Sequence, residues 1–301
     1  MLRLTTLLAA TALAASRLGL LVHELVGHGA TALAVGGRIT GVHLFWFAGG
    51  WIRYHVPDVT VAEDLAVALG GIALEAVVGT GLWLGLRAAA GLGARLLRAL
   101  GATLVVHAMC YLAAGAWHGY GDGRLVHELA GDATAPLAIT AGLVACGAGW
   151  LGARQLFGAL VGCVPAPRHA GALLAIAVAG GLNAGLAVGE LALRRDATYA
   201  ITMQPERERT VARELAAWQR ARVAPVSDAE RAARELELAG QHRDLPFGWL
   251  LGGAVAVAVI AGAARSRQTT EAGITPRLRA IAVAVAVIST AAVIALDVAF
   301  H

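Results

Sequence analysis

The 301-residue chain contains no lysine: all 24 of its Lys-or-Arg side chains are arginine. These arginines are dispersed, so the net charge of +4 does not mark a nucleic-acid-binding surface, and no nucleic-acid partner is expected. The all-arginine usage reads as the coding bias of a GC-rich bacterial genome. Charge of either sign is scarce: 15% of residues are charged, against roughly 25% in a soluble domain. Cysteine is scarce too. Cys110, Cys146 and Cys163 lie in or beside apolar runs and form no Cys-x-x-Cys pair, so they read as small packing residues. No phosphate loop, nucleotide fingerprint or nucleophilic Ser or Cys arrangement is found.

What is present is apolar length. The chain is 58% hydrophobic, with a mean hydropathy of +0.67. Ala-, Leu-, Val- and Gly-rich runs at about 5–35, 61–88, 92–117, 136–162, 169–193, 247–264 and 277–299 are each long enough to span a bilayer. Barrel strands would alternate polar and apolar residues, and these runs do not. The expected fold is an all-α polytopic membrane protein of about seven transmembrane helices, placed in the bacterial inner membrane. Arg3 and Ala12-Leu13-Ala14 imitate a signal peptide. The apolar run continues past them through Leu21 and Val22, which predicts an uncleaved first span.

Two segments break the pattern. Residues 36–54 hold two β-prone runs flanking Gly49-Gly50, which predicts a small hairpin at the membrane interface after the first span. Residues 194–246 carry mixed Arg, Glu and Asp. Here Glu214–Trp218 and Glu230–Leu238 read as short amphipathic helices, broken by Pro225 and Ser227. The expected division is a membrane-embedded core at 1–193, an extramembrane connector at 194–246 and a C-terminal helical hairpin at 247–301. Arginine placement leaves the orientation open, but the odd-numbered spans must end on one face. The His motif, the hairpin, the 118–132 loop and the connector are therefore expected on one side of the membrane.

Polar residues inside spans are expensive and ask for a reason. The most informative set is His23-Glu24-Leu25-Val26-Gly27-His28 at the end of the first span. It differs by one inserted residue from His-Glu-x-x-His, in which two helical histidines bind zinc and the glutamate is the general base. At about 100° per residue, histidines five apart lie about 140° apart on a regular helix and cannot readily share a metal. A one-residue π-bulge would bring them together, and Gly27 would tolerate it. Leu125-Val126-His127-Glu128-Leu129-Ala130-Gly131-Asp132 nearly repeats the motif, and with His118 and Asp122 it forms a second dense group of donors. His107, Glu75, Asn183 and Glu190 read as interhelical hydrogen-bonding residues.

The His23–His28 run resembles the His-Glu-x-x-Gly-His motif of dipeptidyl peptidase III, a zinc peptidase. Residues 15–130 more broadly resemble the site-2 protease family of intramembrane zinc metallopeptidases. The likeness rests on the His-Glu motif, on Gly70-Gly71-Ile72-Ala73-Leu74-Glu75 in the place of a Gly-Pro-x-x-Asn run, and on Gly121-Asp122-Gly123 in the place of a Leu-Asp-Gly motif. The resemblance implies His23, His28 and Asp122 as ligands of Zn²⁺, with Glu24 as catalytic base. His118 and Asp132 stand as alternative third ligands. It also implies hydrolysis of a transmembrane or membrane-anchored protein substrate. The alternative expectation is a non-catalytic relative acting as scaffold or as metal or proton carrier.

Overall fold

The computed structural model describes residues 1–164, 168–222, 226–242, 244–267 and 273–300. Among them, seven helices are long and apolar enough to cross a membrane. The chain runs α1 (Leu2–Ala34), β1 (Arg38–Leu44), β2 (Gly50–His55), α2 (Val61–Gly85), α3 (Leu92–His118), α4 (Gly123–Ala130), α5 (Thr134–Gly162), α6 (Arg168–Arg194), α7 (Ala197–Thr202), α8 (Glu206–Arg220), α9 (Asp228–Gln241), α10 (Phe247–Ala264) and α11 (Pro276–Phe300). The predicted all-α polytopic fold with one small two-stranded sheet is therefore observed. The fourth apolar run is preceded by the short amphipathic α4, which the 136–162 span did not include.

Local chemistry sets the helix ends. Thr60 and Glu63 form a reciprocal capping box at the start of α2. Gly119, with φ of +66°, ends α3 in the left-handed region. Ser227 and Glu230 form a second capping box on α9, while Pro225 lies outside the described residues. The connector helices are longer than Glu214–Trp218 and Glu230–Leu238 suggested. They pack on each other through Val211, Leu215, Leu238 and Trp218.

Small residues set the distances between spans. A Cβ on Gly79 would stand 2.6 Å from the Gly101 carbonyl oxygen, so α2 and α3 meet backbone to backbone. Where spans do not meet closely, Leu4 and Leu7 of α1 interdigitate with Leu92 and Leu96 of α3 and with Phe157 and Leu160 of α5. Large side chains face outward on the peripheral helices, for example Leu186, Val188 and Leu193 on α6 and Val257 and Ile260 on α10. That is the distribution a lipid-facing surface requires, because lipid tails leave no drive to bury apolar groups.

The sheet is antiparallel, with Arg38 opposite His55 and Leu44 opposite Gly50 and an irregularity between Ile39 and Gly41. Its turn is held by charges from three helices. The Arg17 guanidinium of α1, only 1% exposed, donates to the carbonyls of Phe45, Phe47 and Ala48 at 2.7–2.9 Å. On the other side of the peptide groups, the Glu190 carboxylate accepts from the N–H groups of Trp46 and Phe47, both at 2.6 Å, and of Ala48. Asp297 of α11 accepts from the N–H of Leu44, and Arg194 bridges Glu190 and Asp297. Every backbone group of a buried turn needs a partner; here side chains from α1, α6 and α11 supply most, and Phe45 donates its N–H to the carbonyl of Gly49. Asn183 donates from α6 to the carbonyl of Ala9 in α1, an interhelical bond.

Replacing Arg17 with Met should therefore strand three buried carbonyls and destabilise the protein by about 3 kcal/mol or more. Denaturant unfolding in detergent measures this, and an unchanged midpoint would refute the clamp.

Candidate metal centre

The His motif is not α-helical. Val22–Gly29 forms a π-helical segment inside α1. In that geometry hydrogen bonds run from i to i+5, so residues five apart lie one turn above each other. The bulge that the extra residue called for is present. His23 and His28 meet edge to face with ring centroids 4.8 Å apart and their Nε2 atoms 3.2 Å apart.

Glycine makes room for the distorted segment. A Cβ on Gly27 would strike the backbone of Gly71 in α2. A Cβ on Gly71 would stand 2.6 Å from His28 Nε2 and 2.7 Å from His23 Nε2, so only glycine leaves space for both rings. Thr31 donates its hydroxyl hydrogen to the carbonyl of Gly27 at 2.6 Å, giving that carbonyl a partner within the irregular turn.

Asp122 completes the group. Its Oδ2 lies 2.9 Å from His23 Nε2 and 3.1 Å from His28 Nε2. The carboxylate reaches in from the turn between α3 and α4, where Gly119 and Gly121 both adopt positive φ. Gly123 packs so tightly on Gly115 and Ala116 that a side chain there would overlap their backbone. Together His23, His28 and Asp122 could hold a metal ion.

The outer nitrogens decide the tautomers. His28 Nδ1 lies 2.6 Å from the carbonyl oxygen of Val67, which can only accept, so that nitrogen carries the proton. His23 Nδ1 lies 3.2 Å from Glu75 Oε2 and donates likewise. With both imidazoles neutral, their Nε2 lone pairs would face each other and the Asp122 oxygen. Three such acceptors within 3.2 Å repel unless a cation or protons lie between them. An outer acceptor on each histidine is the usual way a ligating imidazole is oriented. Glu24 is buried in the same segment, 7% exposed, next to His23 in the chain.

The other sequence candidates lie elsewhere. His118 Nδ1 is bound to Asp244 at 2.6 Å, and its Nε2 accepts from the N–H of Gly248. Asp132 is exposed in a 3₁₀ turn. In the near-repeat, His127 Nδ1 is spent on the carbonyl of Ala116, and Glu128 pairs with Arg124. Neither His118 nor Asp132 joins the group of His23, His28 and Asp122. Glu75 does bond between helices, to His107 Nδ1 of α3 at 2.9 Å, but the same oxygen also orients His23. That second role was readable: Glu75 is four residues from Gly71 and so on the same face of α2.

Sequence reasoning missed the connector's part. The N–H of Gly121 donates to the Thr202 carbonyl at 3.0 Å. Arg209 of α8 donates to the Gly119 carbonyl at 2.6 Å and is itself braced by Glu206. That bond holds the Glu206 carboxyl below its ordinary pKa. The turn carrying Asp122 is thus pinned on both sides by the connector. Nothing in the composition of 194–246 marks Arg209 out from its neighbouring arginines.

Comparison with known proteins adds no relative: no family model matches the chain, and neither a curated protein nor a solved structure does.

Two outcomes are expected. Glu75→Gln should weaken metal binding about 10–100-fold, as loss of an outer-sphere acceptor does, in competition titrations against a chelator. Arg209→Ala should also weaken it, but should add nothing in an Asp122→Asn background. Multiplying losses in the double variant would show that Arg209 does not act through Asp122.

Proposed function

We propose that the chain is a membrane-embedded zinc metallopeptidase of the site-2 protease type, cutting a transmembrane or membrane-anchored polypeptide. The observation that carries the reading is the π-turn, which brings His23 and His28 together where Asp122 meets them, with Glu24 next to His23 in the same segment. Catalytic zinc takes three protein ligands at about 2.0–2.2 Å in tetrahedral array, which sets neighbouring donors about 3.3 Å apart. The donor separations of 2.9–3.2 Å need open by only a few tenths of an ångström. The residues therefore fit the ion.

Bound zinc would supply an activated water and polarise the scissile carbonyl. The remaining work falls to the chain. Glu75 and the Val67 carbonyl hold the two imidazoles with Nε2 turned inward. Glu24 is the one carboxylate of the π-segment. It is suited to take the attacking water's proton and pass it to the leaving amine, as a general base turned acid does. Burial keeps bulk water from competing and strengthens these interactions.

Purified wild-type protein should hold about one zinc per chain, in keeping with a single three-ligand site, and His28→Ala should hold none. Glu24→Gln should retain the zinc and lose cleavage. Absence of zinc from metal-replete wild type would favour the non-catalytic scaffold or carrier. Wild-type cleavage by Glu24→Gln would remove Glu24 as base.

A further inference from the structure

Two residues of α3 stand behind the metal centre. His107 and Tyr111 are four apart, so they lie one above the other on one helix face. Their rings stack, with centroids 6.1 Å apart and planes 17° from parallel. The pair abuts His23, whose ring centroid is 6.4 Å from that of His107 and 6.0 Å from that of Tyr111. Each of the two side chains also ends on a group that positions one of the proposed ligands.

The His107 end meets Glu75. His107 Nδ1 lies 2.9 Å from Glu75 Oε2, and His23 Nδ1 lies 3.2 Å from the same oxygen. A carboxylate oxygen can only accept, so both nitrogens donate to it. The terminal torsion of a glutamate is broad, and the bond to His23 by itself would leave the carboxylate free to turn. The second donor removes that freedom. Glu75 is 2% exposed, so bulk water does not compete for the oxygen. On the far side Oε1 faces Gly19 of α1, where an added Cβ would stand 3.4 Å from it.

The Tyr111 end meets the turn that carries Asp122. Its hydroxyl fills the place that a Gly121 side chain would take, and it donates to Met203 Sδ of the connector at 3.8 Å. The residue before the third ligand is therefore held between α3 and the connector, whose Thr202 carbonyl takes the Gly121 N–H.

We propose that the stacked His107–Tyr111 pair is a positioning device for the metal centre: His107 sets His23 through Glu75, and Tyr111 sets Asp122 through Gly121. This rests on the metal centre of the proposed function. A site of this kind works only when its groups are held within about 0.5 Å of the productive geometry. The two ligands come from α1 and from the α3–α4 turn, far apart in sequence. Because the two rings stack on one face of α3, a helix that supplies no ligand keeps their separation fixed.

The test uses the full chain in detergent with two probes: Zn²⁺ in competition with a chelator, and Co²⁺, whose visible absorption bands report the arrangement of its ligands. His107→Asn keeps a nitrogen donor where Nδ1 stands, and His107→Gln moves it to the place of Nε2. His107→Asn should bind Zn²⁺ as wild type does and keep the wild-type Co²⁺ spectrum. His107→Gln should bind Zn²⁺ about tenfold more weakly, the lower end of what loss of an outer-sphere partner causes, with shifted bands at saturating Co²⁺. Disturbed packing alone would weaken uptake and leave the spectrum of the filled site unchanged. Tyr111→Phe, which keeps the stack and removes the hydroxyl, should also shift the bands. In a Glu75→Ala background the two His107 variants should bind alike. A wild-type spectrum in His107→Gln or in Tyr111→Phe, equal losses in the two His107 variants, or a difference between them that survives Glu75→Ala overturns the assignment and leaves the metal centre standing. Wild-type protein that takes up neither ion overturns the metal centre itself, and the positioning role with it.

Discussion

Everything at the centre depends on how α1 passes α2. A π-segment is a rare backbone state, held only when its surroundings favour it. Here the surroundings are the backbone of Gly70 and Gly71, against which Gly27 lies with no space for a methyl group. Val67, one turn before Gly71 on α2, offers its carbonyl to His28, and Glu75, one turn after, offers its carboxylate to His23. Three successive turns of α2 thus form a template for the two imidazoles. Returned to α-helical winding, the two histidines would point about 140° apart, and no later part of the chain could gather them.

Two connected polar groups lie among the apolar helices. One surrounds the histidines and reaches through Glu75 to His107 and through Asp122 to the connector. The other clamps the hairpin turn with Arg17, Glu190, Arg194 and Asp297. They are joined by α7, whose Tyr199 ring packs on Phe45 of the hairpin turn while the same segment's Thr202 carbonyl takes the N–H of Gly121. Charges in a membrane-spanning protein persist where they are paired or functional. In the hairpin group each guanidinium and carboxylate has hydrogen-bonded or ionic partners. The histidine group presents three acceptors to one point, an arrangement that needs a cation or protons to be stable.

Much of this was legible in order along the chain. Apolar run length gave the seven spans, because a helix must satisfy its own backbone across lipid. The Gly49-Gly50 pair between β-prone runs marked the hairpin. The one-residue excess in His23–His28 called for a π-bulge, since helical angle leaves no other way to join the rings. The connector was read only as amphipathic. Its real helices begin at Glu206 and Asp228, earlier than the apolar pattern suggested, because the capping box of Ser227 and the extended Pro205 at the N-cap set the starts.

The sequence by itself determined which segments are helical and which residues are chemically able to bind a metal. Those follow from periodicity and transfer energy, which are properties of the chain. Only the tertiary structure decided which of Asp122, His118 and Asp132 lies against the two histidines, because each is an equally able donor until its neighbours are known. Asp244 engages His118, solvent surrounds Asp132, and Arg209 with Thr202 fixes the turn from which Asp122 reaches the histidines. Contacts between residues a hundred positions apart leave no periodic trace in a sequence, and it is such contacts that select the site.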